Sequence, residues 1–300
     1  MHKTDVLPES VDLCEVGPRD GFQFESKEIP TELKIEVIRG LLAAGLQTIQ
    51  LTSFVHPGKV PQMADAEKIV EAFQNEETTK ITGLCLNLRG IERANAVGLK
   101  NVDISIATNE KHGTDNAGMS VEEGVKHAHE MIRTARGYGM QVQLGLQTVF
   151  GYSNPGDTPL DKIVEYSESF ASAGIESLSI ADSTGMANPT SVAERLSSVQ
   201  DAVGETPVVL HLHDTRGLGL ANMYAALRLG ITRFDTSLGG LGGCPFIPGA
   251  TGNIATEDAA YLCESLGIRT GVSIPDIAVE SRRVSSYLGR PLSGKLYKLM

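Results

Sequence analysis

The feature that most constrains this fold is a recurring unit, in which a short apolar, β-branched run precedes a longer amphipathic stretch. The runs begin roughly 20 to 40 residues apart, which leaves room for one helix and two loops after each run. They are VDLCEV (11–16), LQTIQLTS (46–53), ITGLCLN (81–87), VDISIAT (102–108), VQLGLQT (142–148), IESLSIAD (175–182), PVVLHLH (207–213) and ITRFDTS (231–237). Eight such units predict an α/β fold, a (β/α)8 TIM barrel that spans residues 1–300 as a single domain.

The intervening stretches are predicted to be helices that end at glycine residues. TELKIEVIRGLLAAG (31–45) has apolar residues at helical spacing and ends on a glycine, as do VEYSESFASAG (164–174) and LANMYAALRLG (220–230). A doubly wound open sheet is the alternative topology for the same alternation. After the eighth run, GVSIPDIAVESRRVSSYLG (271–289) predicts extra C-terminal helix, in an extension of about 268–300.

Composition excludes several classes of partner. The net charge is −11 and the pI is near 5.1, so binding to nucleic acid or to an anionic membrane is not expected. The start MHKTDVLPES has no signal-peptide core, and no apolar run approaches a membrane span. The four cysteines show no CxxC spacing; they are Cys14, Cys85, Cys244 and Cys263. These observations predict a soluble cytoplasmic protein with reduced thiols.

Polar residues collect where the predicted strands end, which is the active face of a barrel. His211 and His213 are two apart on a strand, so both side chains point to one face and can bind one metal ion. Asp20 and Asn253 can add oxygen ligands from strands one and eight. Two nitrogens and two oxygens suit Mg2+ or Mn2+ in about six-coordinate geometry, although two His and one carboxylate also match a non-haem Fe(II) site.

Three further features lie at strand ends. Arg19 precedes Asp20 directly, and the pair is either an ordinary turn or a catalytic pair at the barrel mouth. Asp182 ends strand six. Cys244 lies in the glycine-dense segment LGGLGGCPFIPGATGNIATED (238–258). This loop either carries an incidental thiol or closes over a ligand and delivers Cys244 as a proton donor or acceptor.

Four motifs together resemble the hydroxymethylglutaryl-CoA lyase family, TIM-barrel metallolyases with an Arg-Asp-Glu signature. They are VGPRDGFQFE, TSFVHPGKVPQMAD, HLHDTRGLGLANMYAALRLG and GGLGGCPFIPGATGNIATED. The resemblance covers nearly the whole chain, and the GGLGGCP loop is its most specific part.

The resemblance implies a role for each matching residue. Asp20, His211, His213 and Asn253 would bind the divalent metal. Arg19 would stabilise the enolate, Asp20 or His211 would accept the hydroxyl proton, Cys244 would protonate the enolate carbon, and Asp182 would be a supporting acid. The implied reaction is retro-Claisen cleavage of 3-hydroxy-3-methylglutaryl-CoA to acetyl-CoA and acetoacetate, as in leucine degradation and ketone body formation. It also implies a homodimer or higher homo-oligomer.

The chain departs from the family pattern around the substrate. Gln50 stands where the family's ETTSF motif has glutamate, so it can bond to Arg19 only through its amide carbonyl. Gln50 is either a tolerated isostere or a sign of altered substrate preference or reduced activity. GFQFE replaces GLQNE and places Phe22 and Phe24 near the rim, and GLQTVFGYSNPGD replaces a cysteine-containing loop five.

Binding of CoA requires positive charge for its phosphates. Lys27 is the predicted contact, with Lys59, Lys111 and His112 on other loops of the active face.

Three alternative functions remain: a lyase for a malyl- or methylmalyl-type hydroxyacyl-CoA, a 4-hydroxy-2-oxoacid aldolase or Claisen synthase, and a catalytically silent binding homologue.

Overall fold

Eight parallel strands close into a barrel in the computed structural model, which describes residues 6–243 and 251–300. The strands are β1 Asp12–Glu15, β2 Thr48–Ser53, β3 Lys80–Cys85, β4 Asn101–Ala107, β5 Gln141–Gln147, β6 Ser177–Asp182, β7 Val208–Leu212 and β8 Arg233–Thr236. Each pairs with the next, and β8 pairs with β1 through registers such as Cys14 with Asp235. This closure confirms the TIM barrel and excludes the open sheet.

Helices follow every strand and cover the outside of the barrel. They are α1 Thr31–Ala43, α2 Ala66–Glu71, α3 Leu88–Ala96, α4 Glu110–Ala117, α5 Val121–Gly137, α6 Leu160–Ser172, α7 Pro189–Val203, α8 Gly219–Leu227, α9 Thr256–Ser265 and α10 Ile274–Leu288. The predicted glycine stop after α1 is confirmed, because Gly45 has a φ of +92°. The apolar faces of strands and helices meet in one core, where Ile38, Leu41 and Phe170 are fully buried.

The predicted C-terminal extension contains α10 and a final 3-10 turn, Leu296–Lys298. Helix α10 packs against α1, and Arg283 pairs with Glu36 across them at 2.5 Å. Tyr287 donates its hydroxyl hydrogen bond to the carbonyl oxygen of Glu28 at 2.6 Å. The extension therefore fixes the loop that follows β1.

One strand end differs from the sequence prediction. Strand β7 ends at Leu212 rather than at His213, and His213 instead forms an isolated antiparallel bridge with Asn253. The chain leaves the barrel wall at this point, because its next pairing partner is the returning glycine loop rather than β8. The imidazole stays at the barrel mouth.

Among the residues that the structure describes, no helix is long and apolar enough to cross a bilayer. Cys14, Cys85 and Cys263 are free thiols.

Candidate metal centre and active site

A tight turn holds Arg19 and Asp20 at the carboxyl end of β1. Residues Gly17–Gly21 form one π-helical turn, with Pro18 at its start, where a missing N–H costs nothing. The carbonyl oxygen of Val16 accepts hydrogen bonds from the backbone N–H groups of Arg19 (3.1 Å) and Asp20 (2.6 Å). This turn places both charged side chains at the barrel mouth.

Glu15 anchors that turn and was not singled out from the sequence. Its buried carboxyl group accepts hydrogen bonds from the backbone N–H groups of Gly17 (2.8 Å) and Leu238 (2.9 Å), and from the Thr256 hydroxyl (2.7 Å). Burial raises its pKa to about 8, against the lowering effect of these bonds. One side chain thereby ties β1 to the segments on both sides of the glycine loop.

The two predicted histidines lie together. The Nε2 atoms of His211 and His213 are 3.1 Å apart, and Nδ1 of His211 lies 3.1 Å from Oδ2 of Asp235 on β8. Because a carboxylate only accepts hydrogen bonds, Asp235 holds the proton on Nδ1 and leaves Nε2 of His211 free to bind a metal. Sequence reasoning missed Asp235, although an acidic residue inside an apolar strand is itself a signal.

Burial acts on both imidazoles, with different net results. Burial and the neighbouring His211 lower the pKa of His213 to about 3. Burial also lowers the pKa of His211, but the hydrogen bond and charge of Asp235 outweigh it and the pKa is raised. For Asp20, burial raises the pKa, but the charges of Arg19 and His211 and the hydrogen bond from Asn253 overcome this effect, so the pKa is lowered. The carboxylate and a neutral His213 are the protonation states that a metal ligand requires.

These residues fit a divalent cation. One ligand atom from each of Asp20, His211 and His213 can be chosen so that all three lie within 4.8 Å of one another. Asn253 donates from Nδ2 to Oδ2 of Asp20 (2.7 Å) and to the carbonyl oxygen of Leu241 (3.1 Å). Its buried Oδ1 has no hydrogen-bond partner among the described residues. An orphaned amide oxygen beside two imidazoles and a carboxylate supplies the mixed donor set predicted from the sequence.

Arg19 is held from two sides. Its Nη1 donates to Oδ1 of Asp20 at 2.5 Å, and its Nε donates to the side-chain carbonyl of Gln50. This confirms that Gln50 can bond to the guanidinium through its amide oxygen. The Nε2 group of Gln50 in turn donates to Oδ2 of Asp103, at 2.5 Å.

Asp182 lies at the end of β6, as predicted. Its two carboxylate oxygens accept hydrogen bonds from the backbone N–H groups of Met186 (2.9 Å) and Ala187 (3.1 Å). Burial raises its pKa to about 6, although these bonds lower it. These contacts stabilise the turn after β6, and the role of a supporting acid in the reaction remains a prediction.

The described ends of the glycine loop meet beside Asp20 and Asn253, two of the residues predicted to bind the metal. Gly242 has a φ of +131°, and a Cβ there would lie 2.5 Å from Nδ2 of Asn253. Gly252 has a φ of +88°, and its Cβ would lie 2.5 Å from the carbonyl carbon of Gly242. Only glycine permits this approach. The predicted Cys244 lies outside the described residues.

The remaining predicted contacts lie on the loops around the mouth. Phe22 is fully buried, so it packs in the core and does not reach the rim, whereas Phe24 is 38% exposed and lies beside Gly243. Lys27 donates a hydrogen bond to the backbone oxygen of Tyr287 at 2.5 Å, and its Nζ atom lies 4.0 Å from the centroid of the Tyr287 ring. Lys111 pairs with Asp115 at 2.5 Å. The role of Lys27 in binding CoA stays a prediction.

Comparison with known proteins shows the family to which this chain is similar. The HMGL-like family matches residues 10–284. A hydroxymethylglutaryl-CoA lyase of Bacillus subtilis is 37% identical over 288 residues, 96% of each chain. A crystal structure of the Bacillus subtilis HMG-CoA lyase superimposes with a TM-score of 0.94 at 36% identity and covers 98% of each chain.

A second solved structure shows a relative with ligands. An HMG-CoA lyase from Acinetobacter baumannii, in complex with coenzyme A and 3-methylmalate, has a TM-score of 0.91 and 34% identity. The alignment covers 97% of this chain and 95% of that one.

Proposed function

Because this chain belongs to the HMGL-like family, we infer that it is a carbon–carbon lyase that cleaves 3-hydroxy-3-methylglutaryl-CoA to acetyl-CoA and acetoacetate. The observation that carries this function is the placement of Arg19 against Asp20, beside His211 and His213, at one end of the barrel. A fixed cation next to a metal-binding donor set is what cleavage beside a thioester requires, because negative charge develops there.

Asp20, His211, His213 and Asn253 are the residues that we propose hold the ion, Mg2+ or Mn2+. Once bound, the ion supplies a Lewis acid that lowers the pKa of the substrate hydroxyl and orients it. The proposed acceptor of the hydroxyl proton is Asp20 or His211, two of the three titratable groups of this cluster.

Arg19 has a separate task in this proposal. Cleavage between C2 and C3 leaves negative charge on the thioester oxygen as an enolate, and the guanidinium remains protonated throughout. Gln50 and Asp20 fix its Nε and Nη1, so no reorganisation is needed when that charge appears. Cys244 is proposed to protonate the enolate carbon.

The test is a coupled assay of purified protein with Mg2+ and 3-hydroxy-3-methylglutaryl-CoA that follows acetoacetate. We expect turnover that stops with a chelator and falls at least about 100-fold in Asp20→Asn, because that change removes a metal ligand charge. Asp201→Asn, on the exposed surface of α7, is the matched control and should retain full activity. A chelator-resistant activity would contradict the metal assignment.

A second candidate is a lyase for malyl- or methylmalyl-type thioesters. Gln50 lies where the family has glutamate, and the Acinetobacter baumannii relative was solved in complex with coenzyme A and 3-methylmalate. Assay of malyl-CoA in parallel distinguishes the two candidates. Cleavage of malyl-CoA in preference to the branched substrate would assign the second one.

Other features belong to the same proposal. We propose that residues 1–300 act as one lyase domain, with Lys27 near the CoA phosphates, in a homodimer or higher homo-oligomer. A cytoplasmic location is supported by the free thiols of Cys14, Cys85 and Cys263 in the described part of the chain. A role in leucine degradation and ketone body formation follows if acetoacetate is the product.

A further inference from the structure

The side chain at position 50 is neutral, yet a carboxylate lies directly behind it. The family resemblance places a glutamate here, which would pair with the arginine of the signature. In this chain Gln50 accepts from Arg19 and donates to Asp103, so one amide connects a cation with an anion. An amide oriented this way has its oxygen toward the positive charge and its N–H toward the negative charge.

Asp103 belongs to the same interior layer of the barrel. It lies on β4 and Gln50 lies on β2, while Thr82 of β3, between them, donates its hydroxyl hydrogen bond to Oδ2 of Asp103 at 2.5 Å. Asp103 and Gln50 are only 5% and 4% exposed. Two donors therefore converge on one carboxylate oxygen inside the barrel.

The surroundings of Asp103 have opposing effects on its pKa. Burial raises its pKa to about 6, while the bonds from Thr82 and Gln50 and the positive charge of Arg19 lower it. The group is therefore ionised above that pH. It also lines a polar cavity at the amino-terminal ends of the strands, shared with Asp12 and Lys80.

Resting on the function proposed above, we propose that Asp103 is a positioning residue that supplies a second counter-charge to Arg19, besides its direct ion pair with Asp20, through the Gln50 amide. The pair of Gln50 and Asp103 would thus replace the single glutamate of the family pattern. The carboxylate has moved from β2 to β4, and the guanidinium keeps an oriented acceptor.

The test is a pair of Asp103→Asn substitutions, one in the natural chain and one in Gln50→Glu. With Gln50 present, Asp103→Asn should lower kcat about 10- to 100-fold with little change in KM, because Arg19 acts on charge that develops only in the transition state. In the Gln50→Glu background, the same change should alter kcat by no more than about twofold, since the carboxylate at position 50 supplies the charge directly.

Asp12→Asn is the matched control. Asp12 lines the same cavity and accepts from Thr48 at 3.0 Å, and no hydrogen bond links it to Gln50 among the described residues. We expect its kcat to match that of the unchanged chain. Equal losses for Asp103→Asn in both backgrounds would indicate a merely structural role and overturn the proposal, as would the absence of any loss with Gln50 present.

A readout without substrate separates this proposal from the proposed function. The changes in the midpoint of thermal unfolding caused by Arg19→Gln and Asp103→Asn should not add up in the double variant, because the proposal couples the two side chains through Gln50. Additive changes in the midpoint would overturn the coupling of Asp103 to Arg19 even if the natural chain cleaves the substrate. Non-additive changes in a chain that does not cleave the substrate would support this coupling and contradict the proposed function.

Discussion

At the residue scale, the proposed function gives the guanidinium of Arg19 a direct influence on turnover. Replacing it by glutamine removes the fixed charge at the thioester oxygen, and we expect kcat to fall about 10²- to 10³-fold with a smaller change in KM. Lysine should restore little, because its single ammonium cannot bond to Gln50 and Asp20 with the same planar geometry. Steady-state kinetics with saturating Mg2+ test this.

The control for Arg19 is Arg269→Gln. The Arg269 side chain is 77% exposed and only approaches Glu9, at 3.7 Å. Its kinetics should equal those of the unchanged chain. If Arg19→Gln retained a kcat within a few-fold of that chain, the enolate role would have to move to another group.

Glu15 gives the fold a dependence on pH. Its pKa is about 8 in the folded chain, against the usual value of 4.5 for a glutamate in the unfolded chain. Between these two pH values the folded state therefore binds one more proton at Glu15 than the unfolded state does. The free energy of unfolding should therefore fall as pH rises from about 5 to about 8. Glu15→Gln cannot titrate and should flatten that part of the profile. Thermal midpoints across this range measure it, and the exposed Glu9→Gln should leave the slope unchanged.

At the element scale, local pattern explains which features could be predicted from the sequence. The alternation of apolar runs with amphipathic stretches, and the glycines that end the helices, are local features of the sequence. All eight strands are therefore found within about two residues of the predicted bounds. The two-residue spacing of His211 and His213 likewise predicts that both side chains point to the same face of the strand. The signature pair Arg19 and Asp20 is adjacent in sequence and needs only one turn.

Barrel register explains what the sequence could not show. Gln50 and Asp103 are 53 positions apart, and Thr256 and Glu15 are 241 apart. Their contacts depend on the stagger of strands on closure, which no local window contains. The bridge between His213 and Asn253 likewise forms only when the glycine loop returns to the mouth.

The glycine loop itself yields a prediction at this scale. Gly242→Ala would place a methyl group against Asn253 in a backbone conformation that alanine avoids, so we expect a loss of about tenfold or more in kcat/KM from displacement of this proposed metal ligand. Gly267→Ala is the matched control. Gly267 also has a positive φ, +77°, but has no atom within 4 Å of its added methyl. Assay and thermal unfolding of both variants separate backbone strain, expected in both, from damage to the site.

At the scale of the whole molecule, the proposed active site and a polar cavity lie at opposite ends of the barrel. The proposed ligands and Arg19 lie at the carboxyl ends of the strands, as in other TIM barrels. The polar cavity lies at the amino ends, and α10 braces the loop after β1 from outside. Since Asp103 lines that cavity and bonds to Gln50, the two ends are joined through the barrel interior.

A ligand that binds only the folded barrel must raise its stability by mass action. We therefore expect Mg2+ at about 100 times its Kd to stabilise the fold by about 2.7 kcal/mol, a rise of about 5 °C in the thermal midpoint. The rise should vanish in His213→Ala, which removes a proposed ligand, and persist in His127→Ala on the exposed side of α5. Because this readout needs no substrate, it tests the donor set separately from the acyl group. An equal rise in both variants would mean that Mg2+ binds elsewhere on the chain, and that the two imidazoles serve another purpose.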